Sequence, residues 1–271
     1  MIISAQEGGL ALVRQDDHMG QCGELADRWG GSFEAPPQAG EVRLAVAHHD
    51  WGWTPVDDAL PYHEATGRPR NFHEFDLEEH ARFYEQGYRK VLERSRYAGL
   101  LVGMHWIGLY RSRYGYDPTL TLPVPERLRA SMDARILRLE HELLELRLAC
   151  WDSSQSRGAF EAGLWMGYEW LQVLDRMSLY MSLGHPGRAA VETAVGTIRP
   201  ALAAPAVEIR VAAPGDGRLL VDPFPFAEPF VSTVRRRHIP DLDYAGPAQL
   251  EAALAEAQPE PLEWMIAPKR R

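Results

Sequence analysis

The densest chemistry in the sequence is Ala47-His48-His49-Asp50-Trp51-Gly52. Val42, Leu44, Ala45, Val46 and Ala47 precede it and read as a small apolar helix from about Glu41 to Trp51, ended by Gly52. Burying a carboxylate beside two imidazoles is costly unless the charge is paired or bound to a cation. Imidazole and carboxylate together suit borderline and hard divalent ions: iron, manganese, zinc, cobalt or magnesium. Seven of the ten histidines lie between His18 and His105, which directs attention to the first four helices. Asp175 is a second signal, because it interrupts the apolar run Trp170 to Tyr180. Its neighbour Arg176 points elsewhere on a helix, so Asp175 needs another partner. His18, near the start of the first helix, and His105, within Gly103-Met104-His105-Trp106-Ile107-Gly108, each read on their own as a cap or a hydrogen-bonded core residue.

The elements that must position these groups are mostly helical. Asp16-Asp17 can open a first helix with Met19, Cys22, Leu25, Ala26 and Trp29 on its apolar face, stopped by Gly30-Gly31. Further helices are expected at about Leu77 to Arg94, Tyr97 to Arg113, Pro125 to Trp151 and Phe160 to Leu183. Pro55 to Phe75 reads as a long irregular loop. Strand signals sit at the two ends. Ile2-Ile3 and Leu10 to Val13 flank Glu7-Gly8-Gly9, and Val207 to Val211 and Leu219 to Val221 flank Pro214 to Gly217. Val231 to Ile239 and Trp264 to Ile266 add strands, and Gln249 to Ala257 a short helix. The expected fold is mainly α: a helical core over residues 15–200, with residues 1–14 and 206–271 as a small β-containing appendage, all in one domain.

Composition excludes several classes. Charge is 29 − 38 = −9, and Arg235-Arg236-Arg237 and Lys269-Arg270-Arg271 are short runs that read as solvated surface, so no nucleic-acid patch is expected. The chain has no run of about 18 apolar residues, so no membrane span is expected. Two distant cysteines, Cys22 and Cys150, and a start without the flanks of a signal peptide point to a reducing, cytoplasmic setting. Cys22 falls on the apolar face and reads as a small buried thiol.

Taken in order, His18, His49-Asp50 and Asp175 resemble the HD superfamily of metal-dependent phosphohydrolases, whose ligands come from separate helices as His, His-Asp and Asp. Leu174-Asp175-Arg176-Met177-Ser178 is similar to that superfamily's last-Asp helix. The resemblance spans about residues 16 to 185, and the chain as a whole looks most like a bacterial family described only as domain of unknown function 3891. The HD resemblance implies a helical bundle holding one or two divalent ions. In two-metal members two more histidines lie between the dyad and the last Asp; His80 and His105 occupy that interval, with His73 the rival of His80. His48 departs from the pattern and stands as a group behind the ligands or a substitute ligand. Asp50 and His48 are the candidates for catalytic roles.

The implied chemistry is hydrolysis of a phosphoester or nucleotide-like small molecule by water activated on the metal. Arg68, Arg70 and Lys90 are candidates to neutralise phosphate, and Trp51 and Trp53 either wall the site or pack the core. Two alternatives stand beside it: a di-iron oxygenase of the HD type, and a non-catalytic HD-like protein that binds a ligand or partner. An oligomer is compatible with all three.

Overall fold

The computed structural model describes residues 1–116 and 122–269; Arg270 and Arg271 of the basic tail lie outside the described residues. The chain opens with the hairpin β1 (Ile2–Gln6) and β2 (Gly9–Val13). Helices α1 (Gln15–Asp27) and α2 (Ala39–Val46) follow. The stretch expected to be an irregular loop instead holds α3 (Thr54–Asp58), the two-residue strands β3 (Tyr62–His63) and β4 (Arg68–Pro69), and a 3-10 turn at Phe72–Glu74. Then come α4 (Leu77–Arg94), α5 (Arg96–Tyr110), α6 (Glu126–Cys150) and α7 (Arg157–Leu183). The last part holds β5 (Ala189–Ile198), β6 (Val207–Pro214), β7 (Arg218–Asp222), β8 (Phe230–Ile239), α8 (Pro247–Glu256) and β9 (Glu260–Pro268).

Local chemistry accounts for the helix boundaries. Asp76 caps α4 by accepting from the backbone amides of Glu78 and Glu79, while Glu79 reaches back to the amide of Asp76. Ser95 and Ser156 cap α5 and α7 in the same way, each accepting from an amide three residues on. Every residue of α5 from Tyr97 to Tyr110 is buried, which makes it the central helix. Helix α7 is buried over most of its length and packs against α1, α2 and α5 on one side and β5 on the other.

The expectation of a mainly α fold, all helical but for a small sheet, is overturned. About half of the chain is helical, and the rest builds a curled, mixed sheet of seven strands in the order β1-β2-β8-β9-β7-β6-β5, so the fold is α/β. Both terminal hairpins lie in this sheet, the first joined to it through β2 paired with β8. The largest omission from the sequence reading is β5. Its pairing with β6 shifts register twice, and only Val195 and Ile198 of the strand are buried. The period of two that identifies a half-buried strand is thereby broken. Adjacent strands are antiparallel except β7 and β9, whose parallel pairing requires the crossover through β8 and α8. A continuous hydrophobic core runs from Ile2 and Val13 through the helices to Trp264 and Ile266.

The His-Asp pair is not inside a helix. Helix α2 ends at Val46, His48 to Asp50 form a turn, and a 3-10 turn follows at Trp51–Trp53. Gly52 is there for close approach rather than as a breaker. A Cβ on Gly52 would sit 1.8 Å from the Phe83 carbonyl oxygen, and one on Gly87 would sit 2.6 Å from the Gly52 nitrogen. Two backbones thus touch where the turn crosses α4. Nearby, the buried Asp57 pairs with the amino group of Met1 and accepts from the Gln15 amide at 2.7 Å, tying the start of α1 to the segment after the dyad.

Gly52→Ala should therefore cost about 3 kcal/mol of stability through overpacking, read as a lower urea midpoint. Gly40→Ala, in α2 with open space around its Cβ, should be neutral or slightly stabilising in the same measurement.

Candidate metal centre

Three segments far apart in sequence meet at one buried point. Helix α1 supplies His18, the turn after α2 supplies His49 and Asp50, and α7 supplies Asp175; all four are buried. His18 Nε2 lies 3.2 Å from Asp175 Oδ1. His49 Nε2 lies 3.5 Å from Asp175 Oδ1 and 3.6 Å from Asp50 Oδ2. The imidazoles of His18 and His49 are edge-to-face with centroids 5.4 Å apart. His18, His49 and Asp50 can each offer a ligand atom within 4.8 Å of the others, and so can His49, His105 and Asp175.

Hydrogen bonds behind the rings decide which nitrogens face inward. His49 Nδ1 is 2.8 Å from the Val46 carbonyl oxygen, which can only accept, so Nδ1 carries a proton and Nε2 is the nitrogen turned toward Asp50 and Asp175. His18 Nδ1 is 2.8 Å from Ser178 Oγ, whose own proton goes to Gln21 Oε1 at 2.8 Å. Gln21 Nε2 donates to Ser232 Oγ, which donates to Glu24. That chain from α1 to β8 makes His18 Nδ1 a donor and turns its Nε2 toward Asp175. Backing partners of this kind orient metal-binding histidines. The residues fit a cation on a further ground: His49 Nε2 and Asp50 Oδ1 are buried and make no hydrogen bond of normal geometry.

Electrostatics agree. Burial alone would lower the His49 pKa, but the facing carboxylates of Asp50 and Asp175 outweigh it and raise it to about 9. Burial would raise the Asp175 pKa, yet His18 and His49 hold it well below the usual carboxylate range. Carboxylates that stabilise a proton on a buried imidazole would stabilise a divalent ion in its place.

A cavity of about 250 Å³ opens on this point, lined in part by Asp50, His80, Tyr84, His105, Arg113 and Asp175. Burial lowers the His80 pKa to about 4, and burial together with Arg113 pushes His105 well down, so both rings are neutral at pH 7. His80 Nδ1 meets the Tyr110 hydroxyl at 2.8 Å. His105 differs from His18 and His49. Gln172 Nε2 and Arg113 Nη1 approach its Nδ1 at 3.1 and 3.4 Å, and both are donors. Its proton therefore sits on Nε2, so in this state His105 Nε2 is a hydrogen-bond donor rather than a ligand.

Other candidate residues stand elsewhere. His48 is half-buried, accepts from Arg94 at 3.2 Å and packs on Trp51, on a groove that Asp16 and Arg43 also line. Arg68 pairs with Asp241 and Asp243, and Arg70 pairs with Glu79 over the Phe75 ring. Lys90 lies over Trp51. None of these four lines the cavity. His73 packs on Phe72 outside it. Trp53 is core, fully buried against Phe75 and Phe83. Cys22 is buried beside His18, and burial raises its pKa well above the ordinary thiol value, which suits the packing role.

Arg113 is the residue that sequence reasoning missed. It is buried, 3.8 Å from Asp175 Oδ2, bonded to Gln172 Oε1, and its Nε has no partner. It reaches the cavity because Ser112, Arg113 and Tyr114 all have left-handed backbones, with φ of 50, 47 and 55°. Three such residues in a row are costly for side chains with a Cβ. Nothing in Ser-Arg-Tyr signals this turn. Gln172 carried a faint signal, standing one turn before Asp175 on the same face of α7.

No curated protein and no solved structure matches the chain. The family model described as "Protein of unknown function (DUF3891)" matches residues 1–241, and the chain belongs to that family.

Proposed function

We propose that this protein is a metal-dependent hydrolase of the HD type acting on a small phosphoester, working in the cytoplasm. The observation that carries this reading is the buried meeting of His18, His49, Asp50 and Asp175, where two candidate ligand atoms make no hydrogen bond of normal geometry, on a cavity that also holds a buried arginine. A divalent ion held there would supply Lewis acidity and make water nucleophilic at neutral pH. The chain's own groups do the rest. Arg113 takes the charge of the phosphoryl group, replacing Arg68, Arg70 and Lys90 in that role. Asp50 holds the proton released by the attacking water on whichever carboxylate oxygen the ion leaves free. Leu109, Leu122 and Leu179 line the same cavity and exclude bulk water. At about 250 Å³ the cavity is near the lower end of ligand sites, which favours a small phosphorylated molecule over a polymer.

Oxidation at a two-iron centre is the second reading. Its support is that His80 and His105 line the same cavity. It requires His105 to give up the hydrogen bonds to its Nδ1 or the proton on Nε2, whereas on His49 a divalent ion would take the place of the proton that the facing carboxylates of Asp50 and Asp175 stabilise. That difference keeps hydrolysis first. Turnover that consumes dioxygen with iron bound, and releases no phosphate from a broad panel, would reverse the order.

Protein purified without chelator or a metal-binding tag should carry a divalent metal by elemental analysis. His49→Ala, Asp50→Ala and Asp175→Asn should each weaken metal affinity by more than about 100-fold, beyond what loss of a supporting residue costs, with circular dichroism unchanged. His48→Ala should keep its metal. Full occupancy in all three ligand variants would remove the site from the reading.

Arg113→Met should leave metal content intact and raise KM for a phosphorylated substrate about 10- to 100-fold, the value of a hydrogen bond to a charged group. An unchanged KM would take phosphate recognition away from Arg113.

A further inference from the structure

Helix α6 buries one face and leaves an apolar stripe on the other. Leu128, Met132, Ile136, Leu139 and Leu143 face the core. On the opposite side Leu137, Leu144 and Leu148 are 54, 55 and 63% exposed. Ala130, Ala134 and His141, also exposed, complete the stripe. Its positions, 130, 134, 137, 141, 144 and 148, alternate steps of four and three, the spacing of a helix seam that meets another helix. Three of the eight exposed large hydrophobic residues among those described fall on this one stripe, whereas isolated exposed leucines need no explanation.

The charges beside the stripe select the occupant. Arg138 and Glu145, each one position after a stripe leucine, lie on one flank; both are exposed, and neither has an ion-pair partner among the described residues. Glu140, on the other flank, has none either. Suppose a second α6 runs antiparallel, with a two-fold axis between His141 and Leu144. Leu137 then meets Leu148 of the other copy, His141 meets Leu144, and Arg138 stands opposite Glu145 twice by symmetry. The same register sets Glu140 near Arg147, although Arg147 already pairs with Glu161 in its own chain at 3.4 Å, so the Arg138–Glu145 pairs carry the selection. A parallel pair would instead set Glu140 against Glu145, like against like. A surface that is complementary to itself about a two-fold axis is what a homodimer requires.

We propose that α6 is a dimerisation helix, pairing antiparallel with α6 of a second copy of this chain through Leu137, His141, Leu144 and Leu148. The metal centre lies elsewhere, so this inference stands or falls independently of the enzymatic reading.

Sedimentation equilibrium on the full chain at micromolar concentration should give twice the 30.5 kDa chain mass. Leu144→Glu, at the centre of the stripe, should give the chain mass with an unchanged circular-dichroism spectrum, and a thermal midpoint no longer dependent on protein concentration. Arg138→Glu should weaken dimerisation roughly tenfold by turning two attractions into repulsions, and adding Glu145→Arg should restore it. A wild-type monomer throughout the concentration range would overturn the proposal. So would a dimer indifferent to Leu144→Glu, or a charge swap without recovery. A monomer that captures some other protein through this stripe counts against it as well.

Discussion

Asp175 sets the terms for the interior of this protein. A carboxylate buried on α7, between helices and sheet, can stay ionised only if positive charge or strong donors surround it. Here His18, His49 and Arg113 come from three other segments to meet it. Each contact fixes a packing relation: α1 against α7, the turn after α2 against α7, and the left-handed turn after α5 against α7. With Asp50 added on the same side, negative charge exceeds what neutral imidazoles can balance. The raised pKa of His49 is the measure of that excess. A proton on His49 relieves it, and a divalent ion would relieve it more fully. The same feature thus explains why the helices pack as they do and why the site suits a cation.

The sheet takes part in the centre although it supplies none of the candidate ligands. Ser232 on β8 receives the amide of Gln21 and passes its proton to Glu24, so the ring orientation of His18 is anchored in a strand. On the far side of α7, Glu169 is fully buried and gripped by Arg199, just after β5. Tyr116 donates to the same carboxylate at 2.6 Å, joining the end of β5 to the segment that follows Arg113. Helix α7 is therefore held by polar contacts on both flanks, with Asp175 and Glu169 as their separate anchors. Positions fixed from two sides are what a site needs to keep ligands at coordination distance.

The cavity also has an asymmetry that bears on chemistry. Behind the cavity, His18 and His49 are backed by a relayed hydroxyl and a carbonyl, and both turn Nε2 toward Asp175. His105 is backed by donors and presents a proton. The side where Asp50 and Asp175 reach the cavity therefore suits a cation, and the side with Arg113 and His105 suits an anion. That division of roles matches a substrate carrying negative charge beside a cation, and it comes from hydrogen bonding rather than from residue type.

The sequence alone determined which residue types were out of place. His49-Asp50 after an apolar helix and Asp175 within one stand out because burying charge is costly, and that cost is local enough to read from neighbours. It also determined the long helices from Leu77 to Leu183, three of which start at an aspartate or serine cap. Other features were decided only by the tertiary structure. The size of the sheet depended on β2 meeting β8, from positions such as Leu10 and Ile239, and on β5, whose bulges hide its period. The exclusion of Arg68, Arg70 and Lys90 from the cavity depended on surface partners such as Asp243 and Glu79. Arg113 entered the cavity through three left-handed residues that no sequence pattern announces. Local rules see the cost of a buried charge and the period of a helix, but which distant groups meet that cost is settled by how the whole chain packs.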